Sequence, residues 1–458
     1  MMTDFAQAVV NPFVDEQRKS RLVEKISNIF DSLHSDFALD NLYRASHLSL
    51  TASENYPSRF VRTLGAGMQG GFYEFAPPYA ANPGEWYFPD SGAQSSLVEK
   101  LASLGKQLFE ANSFDWRPNG GSAAEQAVLL GTCARGDGFV HFAHKDGGHF
   151  ALEELAQKVG VSIFHLPIEE KSLLIDVDRL ATLIKDNPHI KLVILDQSFK
   201  LRWQPLLQIR QALPESVVLS YDASHDGGLI IGECLPQPLL FGADIVHGNT
   251  HKTIPGPQKG YIAFKNVDHP AMKHVSDWVC PHLQSNSHAE LIAPMYIALV
   301  EMSLYGRSYA EQVIKNAKAL AHALHAEGVR VSGESFGFTE THQVHVVVGS
   351  ERKALELVTG TLALAGIRCN NIEIPGANGL FGLRLGVQAL TRRGIKEHGM
   401  AEVARFLVRL ILKNESPTAI RNEIASFLES YPINTLHYSL DAHYYTPSGI
   451  KLMEEVIA

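Results

Sequence analysis

Cysteine is scarce. The 458 residues hold four, Cys133, Cys234, Cys280 and Cys369, and none is paired as CxxC. Neither a disulfide framework nor a zinc knuckle is therefore indicated. Basic charge is also short: the formal net charge is −9 and the isoelectric point lies near 6.2. A nucleic-acid partner wants a basic face, and none is expected here. No apolar run approaches the roughly 18 residues that a membrane span requires. The opening MMTDFAQAVVNPF lacks the basic start and apolar stretch of a signal peptide. The expectation is a cytoplasmic, enzyme-sized protein of two or three domains, with no membrane partner.

Histidine, by contrast, is abundant, with 21 copies. The close pairs are His141 with His144, His247 with His251, and His342 with His345. None follows HExxH, and each lies in or beside a strand-like segment, where side chains three apart point to opposite faces. No metal site is expected from this spacing.

Along the chain, residues 18–45 read as a polar helical arm that ends near SHLSLTASENYPS. Residues 65–92 are rich in glycine, proline and aromatics, and a long irregular segment of that kind is more often functional than idle. Leucines at 97, 101, 104 and 108 then mark the core stripe of a helix. From there the text alternates. FVHFA, VSIFHLP, KLVILDQS, VVLSYDAS, ADIVHGN and GYIAF are β-branched or aromatic runs, most of them separated by helical stretches near 150–159, 177–186 and 205–212. This pattern predicts an α/β fold with a mostly parallel sheet and helices on both faces. Ligands collect at the carboxyl ends of such strands, where DQSF, YDASHDGG and GNTHK stand. After residue 300 a long amphipathic helix (Val313, Ala317, Leu320, Leu324) ends at Gly328. Strands at VRVSG, HQVHVVVG and GLRLGVQ and helices near 352–364, 395–413 and 416–430 complete a smaller α/β domain. The expected division is an arm at 1–55, a large domain at 56–305 and a small C-terminal domain at 306–458.

Five pieces need one explanation. RPNGGSAAEQAVLLG is a Gly-Gly-Ser turn opening a helix, whose free N–H groups suit an anion at Gly121 and Ser122. HKDGGHF places His149 after a Gly-Gly bend at a strand exit; read alone, it is an ordinary structural histidine. YDASHDGG sets Asp222 and His225 just past a buried strand, where an acid must be solvated, paired or used. IVHGNTHKTIPGP ends another such strand on Lys252, and lysine is seldom buried unless paired or chemically employed. Finally, GLFGLRLGVQ sets Arg384 inside an apolar strand, where its planar fork suits a carboxylate. Phosphate cradle, aspartate, lysine and arginine together describe a pyridoxal phosphate (PLP) site for an amino acid.

LTASENYPS, GGS, DGGH, DASH, NTHKTIPGP and GLRLGVQALTRRG, in that order over almost the whole chain, resemble the serine hydroxymethyltransferase family. That resemblance implies a PLP-dependent transferase of fold type I, with active sites shared across a homodimer, whose further pairing into tetramers it leaves open. It implies Lys252 as the Schiff-base lysine, Asp222 as partner of the pyridine nitrogen and His149 as the ring stacked on the cofactor. His225 and Ser198 lie near the phenolic oxygen. Arg384 and Ser53 bind the substrate carboxylate, and Tyr73 reaches across from the second subunit to phosphate or substrate.

The chain departs from the parent pattern where folate acts. The glutamate that follows the family tyrosine by two residues is replaced by Phe75, with Glu74 one out of register, so its side chain turns to the other face. The phosphate-holding GGQGGP of the neighbouring subunit is replaced by CPHLQSNSHAE. These departures are shared with a group inside the family, the L-threonine transaldolases of the obafluorin-pathway type, which DQSFKLRWQPL and WVCPHLQSN also resemble. That likeness implies an antibiotic-pathway enzyme. It would cleave L-threonine to acetaldehyde and a glycyl quinonoid, which adds to an acceptor aldehyde, expected to be aromatic, to give a β-hydroxy-α-amino acid. His149 or Glu54 is the candidate base at the β-hydroxyl. Phe75, Tyr79, Trp86, Tyr87 and Phe88 are equally readable as an acceptor pocket or as interface packing. Serine hydroxymethyltransferase and plain threonine aldolase are the alternatives.

Overall fold

The computed structural model describes residues 16–72 and 92–457, Val267 and His269 apart. Tyr73 and the aromatic cluster from Phe75 to Phe88 lie outside the described residues. Seven strands form the main sheet: β1 (Ser113–Asp115), β2 (Gly138–His141), β3 (Ser162–His165), β4 (Ile190–Leu195), β5 (Val218–Asp222), β6 (Ile245–Asn249) and β7 (Gly260–Phe264). Their order is β1-β7-β6-β5-β4-β2-β3. The pairs from β3 through β6 are all parallel, and β7 runs antiparallel to both its neighbours.

The strands read as unbroken apolar runs because both faces of the sheet are covered. Val140, Val193, Leu195, Leu219, Tyr221 and Val246 point into one core. Phe139, Leu192, Ile194, Val218 and Ile245, their neighbours in sequence, point into the other. The second core is closed by helices α3 (Gly121–Thr132) and α4 (Ala151–Val159), through Ala124, Ala127, Val128 and Leu152. Helices α1 (Glu16–Ser46), α2 (Ala93–Leu108), α5 (Val177–Asp186) and α6 (Leu206–Ala212) fall where the periodicity places them. Among the described residues no helix is long and apolar enough to cross a membrane.

Helix α7 (Ile292–Ala326) runs unbroken through the division expected at residue 305, packing on α2 and also on α8 (Glu397–Ile411). The C-terminal sheet is antiparallel, in the order β9-β10-β8, with β8 Gln343–Gly349, β9 Asn370–Glu373 and β10 Phe381–Gly386. Helix α9 (Pro417–Glu429) begins with proline at its first turn. The strand expected at VRVSG reduces to one bridge, Val331 to Val346. Gly333 at φ +85 turns the chain out of register, and Glu334–Phe336 coil into a 3-10 turn instead.

Candidate active site

The carboxyl ends of β2, β4, β5 and β6 converge, and β10 of the small domain lies across them. Asp222, the last residue of β5, is buried and accepts the Ser224 N–H at 2.7 Å. Burial alone would raise its carboxyl. The charges of His247 and Lys252, that N–H and Lys200 together hold it below the usual carboxylate range. The site therefore contains a lasting anion.

Three residues beyond β6, Lys252 sits in the loop that Asn55 Nδ2 fixes by donating to the Lys252 carbonyl at 2.6 Å. Burial drives the Lys252 ammonium down to about 8, although Asp222 and Glu125 oppose the shift. Loss of hydration favours the neutral amine, which is the nucleophilic form.

The Gly147–Gly148 bend aims His149. A Cβ on Gly148 would overlap the Phe142 carbonyl, so only glycine allows the chain to fold this closely onto β2. The His149 N–H donates to Asp196 Oδ2 at 2.9 Å, and His149 Nδ1 lies 2.8 Å from Glu125 Oε2, though off the hydrogen-bond axis. Glu125 is buried on the sheet-facing side of α3, beside Ala124, Ala127 and Val128. Burial pushes its carboxyl up to about 7. Burial would lower the His149 imidazolium, but Glu125, Asp222 and Asp196 raise it. Both groups of the pair thus hold a proton at a higher pH than they do free in water. Glu125 escaped the sequence reading, but a lone acid on the apolar face of AAEQAVLL was its signal.

Arg384 projects from β10 with 7 % of its surface exposed. Its Nε donates to Asn370 Oδ1 at 3.2 Å and its Nη1 to the Ser198 carbonyl at 3.0 Å, over the Phe199 ring. No described carboxylate pairs with it, and burial lowers the guanidinium to about 10. Around it stand three imidazoles that burial keeps neutral. His225 is held well below the usual range, while His342 and His345 are each at about 3. Gln343 links two of them, donating to the Ser198 carbonyl, approaching His225 Nδ1 at 3.3 Å and facing His345 Nε2 through Oε1, while His342 Nε2 faces the Ala52 carbonyl.

Ser53 and Glu54 reach the same region because Gln388 Nε2 donates to the carbonyls of Thr51 and Glu54. The Glu54 carboxylate, however, is half-exposed and paired with Arg368 Nη2 at 2.7 Å. The buried Glu125, by contrast, lies against His149. Beneath Asp222, buried Lys200 donates to Tyr221 Oη, the Asp222 carbonyl and Asp226 Oδ2, a network unmarked in the sequence.

The residues fit PLP. The first turn of the 12-residue α3 carries N–H groups without intrahelical acceptors, and Gly120 adds no side-chain cap. A Cβ on Gly121 would crowd Asn249 Nδ2 at 3.0 Å and Ser224 Oγ at 3.1 Å, so those polar groups converge on bare backbone. Asn249 Oδ1 is buried with no hydrogen-bond partner among the described residues. Ser122 is exposed on the same turn. Cradle, anion, amine and carboxylate-seeking arginine all lie at one sheet edge.

The family model described as serine hydroxymethyltransferase matches residues 30–407. The serine hydroxymethyltransferase of Methanosphaera stadtmanae is 31% identical over 427 residues, covering 91% of this chain and 96% of the relative. That of Thermococcus kodakarensis is 34% identical over 411 residues, covering 87% and 93%. A crystal structure of an L-threonine transaldolase from Pseudomonas fluorescens, in its internal aldimine state, is 53% identical. It superposes with a TM-score of 0.94 over 96% of this chain and 100% of that one. With the mostly parallel sheet, the lysine at its carboxyl edge and the phosphate cradle, these matches establish that the chain belongs to the serine hydroxymethyltransferase family of PLP-dependent, fold-type I transferases.

Proposed function

We propose that this enzyme is an L-threonine transaldolase, which cleaves L-threonine to acetaldehyde and joins the remaining glycyl unit to a second, aromatic aldehyde. The observation that carries this reading is the 53% identity to a transaldolase, against 31% and 34% to the two hydroxymethyltransferases named above.

In this reading α3 holds the cofactor phosphate through Gly121 and Ser122, with Ser224 and Asn249 beside them. Lys252 would hold the cofactor through its amine, and Asp222 would keep a proton on the ring nitrogen. Bound there, PLP supplies an electron-poor ring that takes up negative charge developing at the amino acid's Cα. Arg384 binds the threonine carboxylate through its fork, with Ser53 adding a hydrogen bond. His149 would stack on the bound cofactor, and Glu125 at its Nδ1 leaves Nε2 to take the β-hydroxyl proton, the role that imidazole–carboxylate pairs serve elsewhere. Ser198 and His225 would serve the cofactor's phenolic oxygen, and Tyr73 would complete the site from the second subunit of a homodimer. The neutral His225, His342 and His345 are poor proton donors, so the Arg384 side offers little to quench charge at Cα before an aldehyde arrives.

The deciding experiment mixes holoenzyme with L-threonine, records the visible spectrum, then adds phenylacetaldehyde. A lasting long-wavelength band, discharged as a new amino acid forms with one acetaldehyde released per product, supports transaldolase. Prompt glycine without that band makes the enzyme an aldolase. Tetrahydrofolate-dependent turnover of serine, with none of threonine, returns it to the hydroxymethyltransferases.

A further inference from the structure

A second cluster of chemistry lies on the far edge of the main sheet, outside the PLP site. His141 ends β2, His165 ends β3, and the two stand opposite one another in the parallel register. Glu153, in the first turn of α4, reaches between them. Its Oε1 lies 3.4 Å from His141 Nε2 and 3.1 Å from His165 Nε2. A tetrahedral ion with bonds of about 2.0–2.2 Å to nitrogen and oxygen sets its ligands about 3.3–3.5 Å apart. All three offered atoms fall within 4.8 Å of one another.

The independent sign is His141 itself. It is 1 % exposed, and its Nε2 is buried with no hydrogen-bond partner among the described residues. Its other nitrogen, Nδ1, lies 3.0 Å from Oδ2 of the fully buried Asp196. That carboxylate is itself fixed by the N–H groups of Phe142 and His149. The Phe139 ring stacks on the imidazole at 4.9 Å. Metal-binding histidines are oriented in just this way, with a carboxylate on the nitrogen that does not bind the ion. His165 and Glu153 are half-exposed and supply an entry path, and His165 also lines a cavity of about 400 Å³ with Lys145 and Asp146. No pair spacing in the sequence reveals this set, because two strands and a helix assemble it.

We propose that His141, His165 and Glu153 bind one divalent transition-metal ion of the zinc class, held by Asp196 behind His141, with its fourth position open to solvent. The ion is structural. It ties the ends of β2 and β3 to α4 and takes no part in the PLP chemistry.

The test uses holoenzyme stripped with a chelator and titrated calorimetrically with Zn²⁺, beside His165→Ala and Glu153→Gln. Both changes lie at half-exposed positions outside the PLP site, so the variants fold and turn over as the parent does without added metal. The parent is expected to bind one equivalent per chain that both variants lose or bind at least tenfold more weakly. Zn²⁺ should raise the melting temperature of the parent alone, and Co²⁺ should give it the visible bands of a tetrahedral ion. Equal stoichiometry and affinity in all three proteins would overturn the proposal, as would a parent that takes up no Zn²⁺. The cluster would then be a carboxylate bridging two imidazoles.

Discussion

The Lys252 amine, held at about 8, and the Arg384 guanidinium, buried with no carboxylate partner among the described residues, are both shifted by lost water. For Lys252 the direction sets a pH dependence. Only the neutral amine attacks an aldehyde, so its fraction rises about tenfold per pH unit below the pKa and levels above it. Capture of PLP by apoenzyme, followed by stopped-flow absorbance, should rise with pH and flatten above about 8. A rate still climbing toward the ordinary lysine value near 10.5 would show the amine to be unperturbed. For Arg384 the test is geometry. Arg384→Lys keeps the charge but loses the planar fork, which at about 1.5–3 kcal/mol for a charge-assisted hydrogen bond implies a roughly 10- to 100-fold rise in KM for threonine. The cofactor spectrum should be unchanged, because neither Lys252 nor Asp222 is touched. Of these residues the sequence showed those that break an apolar run at a strand end, Asp222 and Lys252, or inside one, Arg384. It hid Glu125, Gln343 and His345, whose importance depends on what faces them across the fold.

At the scale of elements, the alternation of β-branched runs with amphipathic helices left little choice of layers, and every strand of the parallel sheet overlaps its predicted run, β2 and β4 starting one residue earlier. VRVSG failed for a local reason: left-handed glycines at 333 and 337 bracket its exit, and a strand cannot continue through them. The strand-to-loop exit at β2 carries the sharpest demand. Gly148→Ala forces a methyl group against the Phe142 carbonyl, so the bend must open and His149 must move. Overpacking of this kind costs about 1–3 kcal/mol. The expected outcome is a lower denaturation midpoint together with altered visible circular dichroism of bound PLP. The second readout separates a displaced His149 from a generally weakened fold, and a variant with parental values of both would show that the loop yields without cost.

The whole molecule depends on how the two sheets are joined, and here the sequence was least informative, because α7 carries no break at the division between them. Glu301, in α7, and Arg392, just after β10, are both fully buried and lie 3.2 Å apart. Glu301 Oε1 also accepts the Leu440 N–H at 2.9 Å, while Arg392 donates to the carbonyls of Tyr56 and Tyr438. One ion pair thus binds the long helix, the segment around Tyr56 and the C-terminal tail. Burial raises the Glu301 carboxyl, the direction expected of a charge that has given up its water, and Arg392 opposes it. Such a pair adds little net stability, yet breaking it leaves a buried charge unmatched, at about 3–5 kcal/mol. Glu301→Gln keeps an acceptor for Leu440 and removes only the charge, so it should lower the unfolding free energy by about that amount. Adding Arg392→Met to Glu301→Leu should recover much of the loss, since an apolar pair of similar volume needs no partner. Urea titration of the single and double variants decides between them. If Glu301→Gln is as stable as the parent, the junction is held by the apolar packing of α7 on α2 and α8 instead. If the double variant is as weak as the single, it is the bonds to Tyr56, Tyr438 and Leu440, rather than the charge balance, that fasten the tail.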